Sequence, residues 1–79
     1  MNEYLIVVPI KEDTGPEQFR HDIFKYYVSG ILDDLDIATR KLFCYTSDSQ
    51  SWVIFCSPEQ ITMLVLQLGA TIVRTTVKI

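Results

Sequence analysis

Apolar residues along this chain switch between a two-residue and a helical period, and each switch marks an element. From Glu3 to Ile10 the run Tyr4-Leu5-Ile6-Val7-Val8 is β-branched and apolar on both parities. That is the pattern of a central strand, β1, covered on at least one face. Residues 11–15 are polar, Thr14 and Glu17 have capping-box spacing, and Pro16 suits a first helical turn, where its missing N–H costs nothing. The helix expected to follow, α1, buries Phe19, Ile23, Tyr26 or Tyr27, Ile31 and Leu35, and leaves Arg20, His21, Asp22 and Lys25 to water. Gly30 either ends this helix or weakens it. Asp33, Asp34 and Asp36 disfavour a strand and read as a helix end or loop.

Leu42–Thr46 and Trp52–Cys56 are short runs rich in aromatic and β-branched residues, separated by the polar turn-forming segment Ser47–Ser51. They predict a hairpin of strands β2 and β3. Ser57-Pro58-Glu59-Gln60 then repeats a helix start signal, with a Ser cap, Pro at the first helical position and Gln three residues after the cap. Ile61, Leu64, Val65 and Leu68 give the helical spacing of α2, and Gly69 supplies a left-handed end. Ala70 to Ile79 favours extended backbone and forms β4.

The order βαββαβ, with crossovers long enough to carry helices, leads to an α+β fold. Its expected form is the ferredoxin-like plait, a four-stranded antiparallel sheet with two helices on one face, β1 and β3 in the middle and β2 and β4 at the edges. Two helices cover one face only, yet the central strands are apolar on both parities. Leu5, Val7, Val53 and Phe55 are expected to complete the core. Tyr4, Ile6, Trp52 and Ile54 are expected to form an open, partner-binding face, because Tyr and Trp commonly anchor interfaces. Strand β4 offers a second binding route as an edge, with Arg74 and Lys78 on one parity.

Composition narrows the reading. Seventy-nine residues, 48% hydrophobic and 22% charged, make one globular domain, residues 1–79, with no linker or repeat. No apolar run is long enough to span a bilayer, and Met1-Asn2-Glu3 lacks the basic opening of a secretory signal, so a cytoplasmic protein without a membrane partner is expected. A net charge of -3 argues against a nucleic-acid partner, since phosphate binding is driven by Lys and Arg. Cys44 and Cys56 are too few for a disulfide framework and are expected as small buried thiols, a bridge requiring that they face each other across the hairpin.

Catalytic chemistry is not expected. The single histidine, His21, stands beside Asp22 on the predicted polar face of α1, away from any cysteine ligand set, and reads as a solvated residue. Neither Cys44 nor Cys56 has a base placed near it by the sequence, and Gly15, Gly30 and Gly69 form no phosphate-cradling loop. No cofactor, metal ligand set or catalytic constellation is predicted. The acidic group Asp33, Asp34 and Asp36 is retained as a candidate contact for a cation, or as a mimic of a phosphate backbone.

Trp52-Val53-Ile54-Phe55, followed by Ser57-Pro58-Glu59-Gln60 and Leu66-Gln67-Leu68-Gly69, resembles the third strand and second helix of RNA-recognition-motif domains. The resemblance implies that Trp52 and Tyr4 stack bases on the open face and that Phe55 lies in the core. Asp48 and Gln50 stand where that family has a basic and an aromatic residue. Size and element order also look like stand-alone protease-propeptide inhibitors, which act through a tail beyond the last strand. The leading expectation is a small non-enzymatic regulator or inhibitor, of the kind often encoded by phages and mobile elements, that binds a protein through the open sheet face or an edge. A homodimeric structural or regulatory module and a single-stranded RNA-binding domain are the alternatives.

Overall fold

The computed structural model describes residues 1–11 and 14–77. Strand β1 runs Asn2–Pro9, helix α1 Arg20–Asp34, strand β2 Arg40–Tyr45, strand β3 Ser49–Cys56, helix α2 Pro58–Leu68 and strand β4 Thr71–Val77, with a 3-10 turn at Glu17–Phe19 leading into α1. The fold is α+β. Its four strands form one open sheet in the order β2-β3-β1-β4, and every pairing is antiparallel. Lys78, expected on β4, lies outside the described residues.

Strict alternation along β1 and β3 places Tyr4, Ile6, Val8, Trp52, Ile54 and Cys56 on one face, where they meet Phe24, Val28 and Leu32 of α1 and Ile61, Leu64 and Leu68 of α2 in a single core. Both helices therefore cover the same face. The start of α2 follows its local chemistry: Ser57 Oγ accepts from Gln60 N (3.2 Å), Gln60 Oε1 accepts from Ser57 N (2.8 Å), and Gly69 ends the helix at a left-handed φ of 65°. Gln60 Nε2 also donates to the Leu35 carbonyl (2.8 Å), which ties the beginning of α2 to the end of α1.

Helix α1 departs from its expected phase. Its core stripe is Phe24, Val28 and Leu32, with Ile31 and Leu35 partly buried, whereas Phe19, Ile23, Tyr26 and Tyr27 are exposed. The cause is a surplus of apolar residues: the helix carries two apolar stripes, and the one continuous with Ile31 and Leu35 begins at Phe24. The expected capping box at Thr14 is not formed. The 3-10 turn starts after Pro16 without a side-chain cap, and Thr14 N instead bonds the Lys11 carbonyl (3.1 Å). Gly30 is passed without a break, and α1 ends at Asp34.

Candidate functional site

The face turned away from the helices is built from the other parity. The ladder sets Lys41 opposite Val53, Val53 opposite Leu5, and Leu5 opposite Arg74, so one row crosses all four strands with a cation at each edge and two aliphatic side chains between. The neighbouring rows pair Phe55 with Glu3 and Thr76, and Ser51 with Val7. Leu5, Val7, Val53 and Phe55 are half-buried by the sheet itself and lie outside the helix-covered core. Phe43, 56% exposed, extends the patch beside Lys41 and Val53.

Two irregularities shape the edges. In β2 the register shifts between Leu42 and Cys44, which makes Phe43 an extra residue and returns Tyr45 to the helix side. There its ring lies against His21, with centroids 4.4 Å apart. In β4 a matching shift falls opposite Leu5 and Ile6 and leaves Val73 unpaired on the outer edge, 57% exposed. Bulges of this kind bend and twist edge strands, which limits uncontrolled strand addition.

Charge is segregated between the two sides of the molecule. Among the described residues Glu3 is the one carboxylate on the open face, accompanied by Lys41 and Arg74. The others, Glu17, Asp22, Asp33, Asp34, Asp36, Asp48 and Glu59, belong to the helices and turns. The open face of an acidic chain thus carries an excess of positive charge around an apolar centre.

Tyr4, Ile6, Trp52 and Ile54, expected on the open face, do not lie there. Tyr4 is 5% exposed and Trp52 2%, and Ile6 and Ile54 are equally enclosed beneath the helices. A polar anchor holds Trp52 there: its Nε1–H donates to Oε1 of the fully buried Gln50 (3.2 Å), whose Nε2 in turn donates to the His21 carbonyl (3.0 Å). The stacking roles that the RNA-recognition-motif resemblance implied for Trp52 and Tyr4 are therefore sterically closed, and Phe55, implied as core, faces outward. One sign of the parity lies in β1. Tyr4, Ile6, Val8 and Ile10 run apolar without interruption, whereas the alternate set of β1 begins at Glu3 and ends at Pro9.

His21 is half-buried between Tyr45 and Gln50 instead of being solvated. Asp33 is engaged by Arg40, whose Nη1 reaches its Oδ1 (2.6 Å) and also donates to the Ile37 carbonyl (3.1 Å). Asp36 adopts a left-handed φ of 59° just past the helix end, and Asp34 is exposed. Asp33 and Asp36 thus form part of the turn out of α1. Arg74 is exposed on β4, on the open side of the sheet. Cys44 is exposed opposite Ser51, while Cys56 is buried opposite Asn2, so both thiols are free and no bridge across the hairpin joins them. Burial pushes the Cys56 thiol above its ordinary pKa.

No helix among the described residues is long and apolar enough to cross a membrane. Compared with known proteins, the chain matches no family model, no curated protein and no solved structure.

Proposed function

We propose that this chain is a ferredoxin-like plait that works without catalysis, as a regulator or inhibitor binding another protein through its open sheet face. Antiparallel pairing of β1 with both β3 and β4, with two helices on one side, supports the plait. One observation carries the binding reading: the row Lys41-Val53-Leu5-Arg74, apolar in the middle and cationic at both ends, on a face that no described helix covers. A contiguous apolar patch with a polar rim is the ordinary anatomy of an interface. The row also specifies its occupant. Lys41 and Arg74 stand three strand spacings apart, roughly 14 Å, so the matching surface is an apolar strip flanked by carboxylates at about that separation. Rim charges of this kind steer association and fix register.

A photo-reactive phenylalanine at Phe55 tests the proposal in cells that make the protein, with the same group at Leu66 on the outer side of α2 as control. The expected result is a protein adduct from position 55 only, lost in Val53→Glu while circular dichroism stays native, and weakened by Lys41→Glu with Arg74→Glu. Adducts that survive Val53→Glu, or none from a folded chain, overturn the reading. An adduct with a second copy of the chain assigns the face to self-association instead.

A further inference from the structure

We propose that the β2 end of the open face holds an aromatic side chain of the partner, together with the carboxylate of a residue next to it in the partner's chain. The inference rests on the open-face reading above and specifies what enters that face. Regular pairing breaks in β2: Leu42 stands opposite Trp52 and Cys44 opposite Ser51, so Phe43 has no residue across from it in the ladder. An extra residue of this kind re-aims its side chain at the rim of a sheet. Phe43, Lys41 and Val53 bound a hollow of about 420 Å³, within the range of roughly 300–1,000 Å³ for clefts that take small molecules. That is room for a whole ring.

The three lining residues select the occupant. Val53 is half-buried between Lys41 and Leu5 and offers an aliphatic surface at the sheet. Phe43 is 56% exposed, and a second ring against it gains the offset or edge-to-face contact that aromatic pairs prefer. Lys41 is exposed and, among the described residues, makes no ion pair; its neighbour Arg40 is the residue that holds Asp33. The one described carboxylate on this face, Glu3, stands on β1, two strands from Lys41. An ammonium so placed attracts the face of an aromatic ring as well as a carboxylate. An aliphatic side chain would gain burial alone, and a bare carboxylate would leave Phe43 and Val53 wet. Ring and carboxylate together match all three residues.

Blocked dipeptides test this on the full chain by amide chemical-shift titration. N-acetyl-Phe-Asp-amide is expected to shift Lys41, Phe43 and Val53 with millimolar affinity, and N-acetyl-Phe-Asn-amide and N-acetyl-Ala-Asp-amide to bind at least about threefold more weakly. Lys41→Gln should bring the Asp peptide down to the level of the Asn peptide and leave the latter unchanged, while Phe43→Ser should weaken both Phe peptides. Both positions are exposed, so the fold survives either change, which circular dichroism verifies. No shifts at these amides, equal affinity for the Asp and Asn peptides, or a Lys41→Gln effect that is the same for both would overturn the inference. N-acetylphenylalanine binding more tightly than the dipeptide would overturn the assignment to an internal acidic residue. The titration needs no partner, so its outcome is separate from cross-linking at Phe55: adducts from position 55 with silent dipeptides leave the open-face reading standing and remove this one, whereas the absence of adducts strikes the open-face reading whatever the dipeptides do.

Discussion

Trp52 and Gln50 lie two residues apart on the same face of β3, and the indole N–H of one donates to the side-chain oxygen of the other at 3.2 Å. Because Trp52 can only donate, Gln50 Oε1 must be the acceptor, which fixes the amide orientation and directs Nε2 to the His21 carbonyl. A strand residue and the first turn of α1 are thereby joined through a fully buried amide.

Gln50→Leu keeps the volume but strands the buried indole N–H of Trp52, so a loss of about 2 kcal/mol is expected. Trp52→Phe removes the donor as well as part of the ring. In the double variant the indole N–H no longer wants a partner, and the combined cost should fall short of the sum by about 1 kcal/mol. Urea titrations of the four chains measure that coupling, and strict additivity would show that the bond contributes nothing.

Ser57 and Gln60 make a reciprocal cap, but Gln60 has a second duty at the Leu35 carbonyl. Ser57→Ala is expected to cost about 1 kcal/mol, as caps do. Gln60→Glu keeps the acceptor for Ser57 N and loses the donor to Leu35. It should therefore leave α2 helical while loosening its junction with α1, visible as faster amide exchange at Asp36 and Ile37 than at Leu64. Equal protection at both places would deny the junction a separate role.

The elements were legible because their signals are local: the Ser57-Pro58-Glu59-Gln60 start, the Gly69 end and the two hairpin runs each act within a few residues. The face was not, because β1 and β3 are apolar on both sides, and choosing between parities depends on which side chains the helices reach. Tyr and Trp are common interface anchors, but the plainer sign in β1 is the Glu3 and Pro9 that bound the alternate set. The phase of α1 was hidden for a related reason. Two apolar stripes share 15 residues, and the sheet selects Phe24, Val28 and Leu32. The bulges at Phe43 and Val73 have no sequence signature in residues of these types.

Cys44 and Cys56 should differ in reactivity. A thiol reagent at neutral pH is expected to label Cys44 rapidly and Cys56 only when the chain unfolds, since one is exposed and the other enclosed. Burial holds the Cys56 proton in the folded state, whereas the unfolded thiol ionises near 9.0. The unfolded chain then binds fewer protons than the folded one, so this group's contribution to stability is whole below about pH 9 and declines above it. Denaturation at pH 7 and pH 10 should show a smaller loss in Cys56→Ala than in the wild type. Equal losses would mean that the thiol is solvated.

Side-chain parity in β3 makes the sharpest forecast, because adjacent residues of similar size should behave oppositely. Ile54 is enclosed beneath both helices, so Ile54→Ala leaves a cavity and is expected to cost about 3 kcal/mol. Val53 faces outward between Leu5 and Lys41, with no helix above it, and Val53→Ala should cost about 1 kcal/mol or less. For the proposed binding the ranking should reverse: Ile54→Ala leaves the open face intact, while Val53→Ala removes the centre of the apolar row and weakens any complex formed there. Paired urea titrations and affinity measurements on these two variants therefore separate core from surface with one neighbouring pair. If Val53→Ala proved the more destabilising of the two, the sheet would be facing the other way.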